Sequence, residues 1–153
     1  MKSRLRLWGI TLVVVAGVAV ACFAGAAGGG GQPSACVTWE QAKLDKADWG
    51  EMRIFFTGET YGTQNAYTAM ATVAPGKAVH AAHQHAEEEH LVLMEGSGTW
   101  HLDGKDFAAK EGDVLYIAPW IMHGLVNTSD APLVFLVVKY QGKGVPLPEK
   151  PAA

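Results

Sequence analysis

The sequence predicts an all-β protein, a single small barrel or sandwich, on three observations. Short runs rich in Val, Ile, Phe, Tyr and Thr recur between residues 52 and 140. Gly, Pro, Asp and Asn punctuate them at regular intervals, the grammar of short antiparallel strands. No internal repeat interrupts that spacing, and 153 residues suffice for one domain with a real core.

In order, "TWEQAKLDKADW" (38–49) predicts a short helix: Thr38 and Gln41 fit a capping box and Gly50 can end it. Strands are expected in "MRIFFT" (52–57), in "NAYTAMATV" (65–73) up to the Ala74-Pro75-Gly76 break, and in "HLVLMEG" (90–96). Beyond a Gly-Ser-Gly turn come "GTWHLDG" (98–104), "DVLYIAP" (113–119), "HGLVN" (123–127) and the most apolar run, "PLVFLVVKY" (132–140). The Pro- and Gly-rich tail (141–153) is expected along the surface or loose.

Residues 1–21 have the layout of a signal peptide. Lys2, Arg4 and Arg6 precede an apolar run from Leu7 to Ala21, shorter than the roughly 20 residues of a comfortable membrane span. The end, Ala19-Val20-Ala21-Cys22, reads either as an ordinary cleavage site or as a lipobox with Cys22 lipidated. The Gly-rich stretch that follows suits a flexible tether over 22–36. The expectation is an exported protein, a periplasmic or outer-surface lipoprotein or otherwise secreted, touching membrane only through its signal peptide or lipid anchor. Cleavage removes three of the twelve basic residues and none of the fifteen acidic ones, leaving a net charge of −6. That excludes nucleic acid as a partner, since phosphate contacts need clustered Lys or Arg. With only Cys22 and Cys36, neither a disulfide framework nor a Cys-based metal site is expected.

The chemistry concentrates in "HAAHQHAEEEH" (80–90), which holds four of the six histidines. On a helix, His83 and His85 would point about 200° apart. On an extended chain they point the same way, about 7 Å apart, and can reach one ion. Glu89, across a bend, can return to the same point. His123, the one histidine outside residues 80–101, is the candidate distant fourth ligand. His80, Glu87, Glu88 and His90 are read as polar surroundings. His101 is either an outer-face residue or a proton-transfer group, Tyr116 shares that candidacy, and Tyr67, Met70, Tyr116 and Trp120 are candidates to line a substrate pocket.

These residues carry a resemblance. Gly76, His83, His85, Glu89 and Gly96 fall at the spacing of the first cupin motif, and Gly112, His123 and Asn127 at that of the second. Ala118 and Trp120 stand where that second motif usually has proline and glycine. Over residues 65–140 the chain resembles the cupin superfamily, with 37–64 as an N-terminal helix and strand extension. The resemblance implies a jelly-roll barrel, or double-stranded β-helix. It also implies one divalent metal held inside by His83, His85, Glu89 and His123. Three imidazoles and a carboxylate suit Fe, Mn, Zn, Ni or Cu, and affinity order does not choose among them.

The fold alone does not select a reaction. A metal-dependent enzyme acting on a small molecule is the leading expectation, with dioxygenase chemistry on an enediol or phenol first and sugar isomerisation close behind. The competing expectation is a non-catalytic module that binds a small ligand or the metal itself. A homodimer through an edge strand is a further option, with "MRIFFT" as the candidate edge.

Overall fold

The computed structural model describes residues 31–152. The signal peptide, Cys22 and most of the tether lie outside the described residues. Nine strands make two antiparallel sheets: β1 (Lys43–Ala47), β2 (Gly50–Gly58), β3 (Thr63–Val73), β4 (Glu88–Glu95), β5 (Ser97–Leu102), β6 (Lys105–Lys110), β7 (Val114–Ile117), β8 (His123–Val126) and β9 (Leu133–Gly142). The large sheet has the order β1-β2-β3-β9-β4-β7 and the small one β6-β5-β8.

Strand alternation builds the core between the sheets. Ala69, Ala71 and Val73 on β3, Leu133, Phe135 and Val137 on β9, and Leu91 and Leu93 on β4 are all buried. Register places them in rows across the sheet, Ala69 beside Val137 and Leu91, and Ala71 beside Phe135 and Leu93, so successive inward side chains interdigitate. Trp100 of β5, 1% exposed, closes the core from the small sheet. Two residues earlier on β5 is a close backbone approach: a Cβ on Gly98 would lie 2.2 Å from the Val126 carbonyl oxygen, so only glycine fits there.

The helix expected over 38–49 is not formed. Half of the capping box forms, with the Thr38 N–H donating to Gln41 Oε1, and the Gln41 and Ala42 N–H groups donate to the Thr38 carbonyl, but the chain then enters β1. Five ladder positions with β2, from Lys43–Ile54 to Ala47–Gly50, override the helix-favouring Lys, Leu and Ala of "KLDKA", because propensity yields to tertiary pairing. That pairing covers the start of "MRIFFT": Met52, Arg53 and Ile54 are bonded to β1 on one side and β2 to β3 on the other, while Phe55–Thr57 lie beyond the β1 ladder. Strand β6, unanticipated, pairs with β5 from Lys105 to Lys110.

Candidate functional site

Three chain segments bring the histidines together. His123 opens β8, and His83 pairs with it in an isolated antiparallel bridge. The His83 N–H donates to the His123 carbonyl at 2.9 Å and the His123 N–H to the His83 carbonyl at 2.8 Å. The extended backbone at His83 turns His85 to the same side, as the alternation argument requires. Glu89 arrives on the inner face of β4, opposite Ile117 of β7 and Lys139 of β9. One ligand atom from each of His83, His85 and His123 lies within 4.8 Å of the others. Glu89 spans two of them, with Oε2 3.0 Å from His85 Nε2 and Oε1 3.7 Å from His123 Nε2.

The ring tautomers follow from the backbone. His123 Nδ1 lies 2.8 Å from the Ile121 carbonyl and His85 Nδ1 3.0 Å from that of Glu87. A carbonyl only accepts, so each Nδ1 carries a proton and donates it, leaving a lone pair on each Nε2. His85 Nε2 and Glu89 Oε2 are then two acceptors at hydrogen-bond distance, which only a shared proton or a cation reconciles. His83 Nδ1 and His123 Nε2 are buried with no hydrogen-bond partner, a costly condition for polar atoms in a dry site. Unsatisfied imidazole nitrogens and a carboxylate converging at one point fit a divalent ion, with backbone carbonyls holding the rings as partners of metal-binding histidines do.

Electrostatics agree with this packing. Burial, with the neighbouring His80, His123 and His85 rings, lowers the pKa of His83 to about 4, so the ring is neutral at ordinary pH. Burial opposes the charge on Glu89, but His123 and His85 outweigh it and bring its pKa down to about 2. Burial also opposes a charged His123, yet Glu89 and the Ile121 carbonyl prevail and raise its pKa.

A cavity of about 270 Å³ opens beside this cluster. His83, Glu89 and His123 form its polar end, with Leu91, Phe135 and Val137 among its apolar walls. His85 stands behind it and does not line it. Tyr67 does, pointing inward from β3; burial, then Asp45 and Glu89, raises the pKa of its phenol.

The other expected pocket residues lie elsewhere. Met70 alternates with the buried Ala69 and Ala71 and so faces the outer side of the large sheet. His101 alternates with buried Trp100, facing outward with Nδ1 2.7 Å from Asp106. Tyr116, half exposed, packs its ring against His90 on the outer face. Trp120 takes the left-handed conformation at φ 63°, which explains why glycine suits that motif position. Its N–H donates to the His85 carbonyl at 2.7 Å and its Nε1 to the Pro148 carbonyl, so it pins the His85 segment and the tail without lining the cavity.

Two contributors went unanticipated. His80, assigned to the rim, lines the cavity and packs edge-on to His83 at 4.1 Å between ring centroids. Lys139 also lines it, in line with inward-facing Leu133, Phe135 and Val137; the run is apolar throughout, so only two-residue parity from a known inward side chain would have found it.

The cupin domain pattern matches residues 69–139. The chain is 31% identical over 96 residues to a gentisate 1,2-dioxygenase from a Streptomyces species, covering 62% of this chain and 25% of that protein. It is 30% identical over 88 residues to an oxalate-binding protein of Thermotoga maritima, covering 58% of this chain and 73% of the relative. The chain thus spans about a quarter of the length of the dioxygenase and most of the binding protein. Among solved structures, KdgF from a Halomonas species superposes with a TM-score of 0.59 at 16% identity, over 71% of this chain and 96% of that one. Sheet topology, the converging imidazoles and these likenesses agree: the chain belongs to the cupin superfamily.

Proposed function

We propose that His83, His85, Glu89 and His123 hold one divalent ion, and that the protein uses it on a small molecule bound in the adjoining cavity, in dioxygenase-like chemistry. The observation that carries this is the meeting of three imidazoles and Glu89 with lone pairs facing one another. Bound there, such an ion would supply Lewis-acid and O₂-activating chemistry toward a chelating enediol or phenol. The chain supplies the rest. Glu89 offsets one positive charge, the Ile121 and Glu87 carbonyls fix ring orientation, and the walls around Leu91 and Phe135 exclude water. Tyr67, His80 and Lys139 are the polar side chains of the cavity outside the ligand set. The likeness to gentisate dioxygenases over part of their length supports the oxygenase reading.

The test is elemental analysis of the wild type against His83→Ala and His123→Ala, followed by oxygen uptake with catechols and enediols. Stoichiometric metal lost in both variants, with uptake by the wild type, is the expected result. A wild type that takes up no metal from Fe, Mn, Zn, Ni or Cu overturns it. Metal without uptake favours the second reading, a small-ligand binding module. That reading draws on the outward placement of His101 and Tyr116, which leaves few candidates for acid–base work and also weakens the isomerase alternative.

We also propose export of the chain by residues 1–21 with lipid on Cys22; the intact mass of the mature N-terminus from a membrane fraction tests it.

A further inference from the structure

The cavity holds a cation with no carboxylate partner among the described residues. On the inner face of β9, Leu133, Phe135 and Val137 are buried and Lys139 follows at the next inward position. Register sets it between Tyr67 on β3 and Glu89 on β4. Cross-strand neighbours of opposite charge usually pair, yet Glu89 already serves His85 and His123. Among the described residues no carboxylate comes within ion-pair distance of Lys139. Its ammonium lies 5.9 Å from the Tyr67 ring centroid, and neither group has a side-chain hydrogen-bond partner among the described residues. An ammonium and a phenol hydroxyl therefore share one cavity, with the histidine cluster at the same end and apolar walls between.

We propose that Lys139, with Tyr67, is an anion subsite and that the ligand is a small carboxylic acid with an apolar body. Its carboxylate sits on the Lys139 ammonium and accepts from the Tyr67 hydroxyl, while its other oxygens face the histidine cluster. This second contact rests on the metal reading above; the first does not. The charge balance favours an anion, since Glu89 cancels only part of a divalent ion and Lys139 adds another positive charge. The cavity of about 270 Å³ limits the ligand to about one ring or a short chain, near the lower end of small-molecule sites.

The test compares a carboxylate with its uncharged counterpart. On zinc-loaded protein, calorimetry with 3,4-dihydroxybenzoate and with catechol should show the wild type preferring the acid by about 10- to 100-fold, as a charge-assisted hydrogen bond in a dry site implies. Lys139→Met should abolish that preference without changing zinc stoichiometry, Lys139→Arg should keep it, and Tyr67→Phe should reduce it several-fold. Lys139→Gln replaces the Met variant if that one does not fold. Equal binding of the two probes by the wild type, or an undiminished preference in Lys139→Met, overturns the proposal. If the protein takes up none of Fe, Mn, Zn, Ni or Cu, the metal reading falls by itself. Benzoate against benzyl alcohol on the metal-free protein, followed by amide NMR shifts, then decides the subsite on the same criterion.

Discussion

Replacing Asn127 with alanine should destabilise the fold severely while sparing the ligand set. Asn127 is fully buried, and its side chain ties the end of β3 to the turn after β8. Nδ2 donates to the Val73 carbonyl at 2.9 Å and to the Ala131 carbonyl at 2.8 Å. Oδ1 accepts from the Ser129 N–H at 3.0 Å and from its hydroxyl at 2.8 Å. Ser129 is near enough to solvent to recover through water. The Val73 carbonyl, at the end of buried β3, is not. Two lost bonds at about 1 kcal/mol each, plus a stranded buried acceptor at about 1–3 kcal/mol, give roughly 3–5 kcal/mol. That is a large share of the roughly 5–15 kcal/mol that holds a domain together. With a urea slope of about 2 kcal/mol/M, the midpoint should fall by about 1.5–2.5 M. Asn127→Asp should be at least as damaging, since it keeps the acceptor but sets a carboxylate oxygen against two carbonyls. Where the variant still folds, His123 remains bonded to His83, so metal stoichiometry should be unchanged. A midpoint shift under 0.5 M, about 1 kcal/mol by the same slope, would refute this account of Asn127.

Three further outcomes are expected. Metal at about 100 times its dissociation constant should stabilise the native state by about 2.7 kcal/mol, so a chelator should lower the melting temperature of the wild type but not of His123→Ala. Metal-free protein should lose stability with acid in two stages. His83 has a folded pKa of about 4 against 6.5, so between those values only the unfolded chain takes up its proton and stability falls as pH falls. Glu89, held at about 2 against 4.5, stabilises above pH 4.5 and loses that contribution as pH drops towards 2. His123, whose folded pKa is raised, works the other way: its contribution is present below 6.5 and lost as pH rises through its folded value. His83→Gln should flatten the urea-midpoint profile between pH 4 and 6.5, and a profile parallel to wild type would contradict the assignment. Finally, Gly98→Ala should force β5 away from the Val126 carbonyl and Leu133 Cδ1, which its Cβ would meet at 2.2 and 2.9 Å. Overpacking of this kind costs about 1–3 kcal/mol or more, readable as a lower melting temperature.

Much of the site was legible because its logic is periodic. Two histidines one residue apart on an extended chain share a face whatever the fold, and β3, β4, β8 and β9 announce themselves by apolar runs. What escaped was set by tertiary pairing. Strand β1 is exposed at every position and β6 buries only Ala109, so neither carries the alternation that marks a strand, and "KLDKA" read by itself favours a helix. Met70 and Tyr116, offered for the pocket, face outward, and His101, left between an outer-face and a proton-transfer role, takes the outer face; strand parity counted from a fixed reference decides all three. Once Ala69, Trp100 and Ile117 are known to face the core, their neighbours must face out. The same parity would have placed Lys139 inside, where one positive charge at the end of an apolar run was passed over.

The paired amides of His83 and His123 have a kinetic meaning. Because each donates to the other's carbonyl, the segment bearing His83 and His85 cannot swing away from β8 without breaking both bonds at once. Entry or escape of an ion by that route requires a local opening whose free energy those two amides report through hydrogen exchange. Their protection should rise in step with metal occupancy, and the off-rate of the ion through this route cannot exceed the opening rate of the bridge. The residence time of the ion would then be governed by two backbone bonds as much as by the imidazoles.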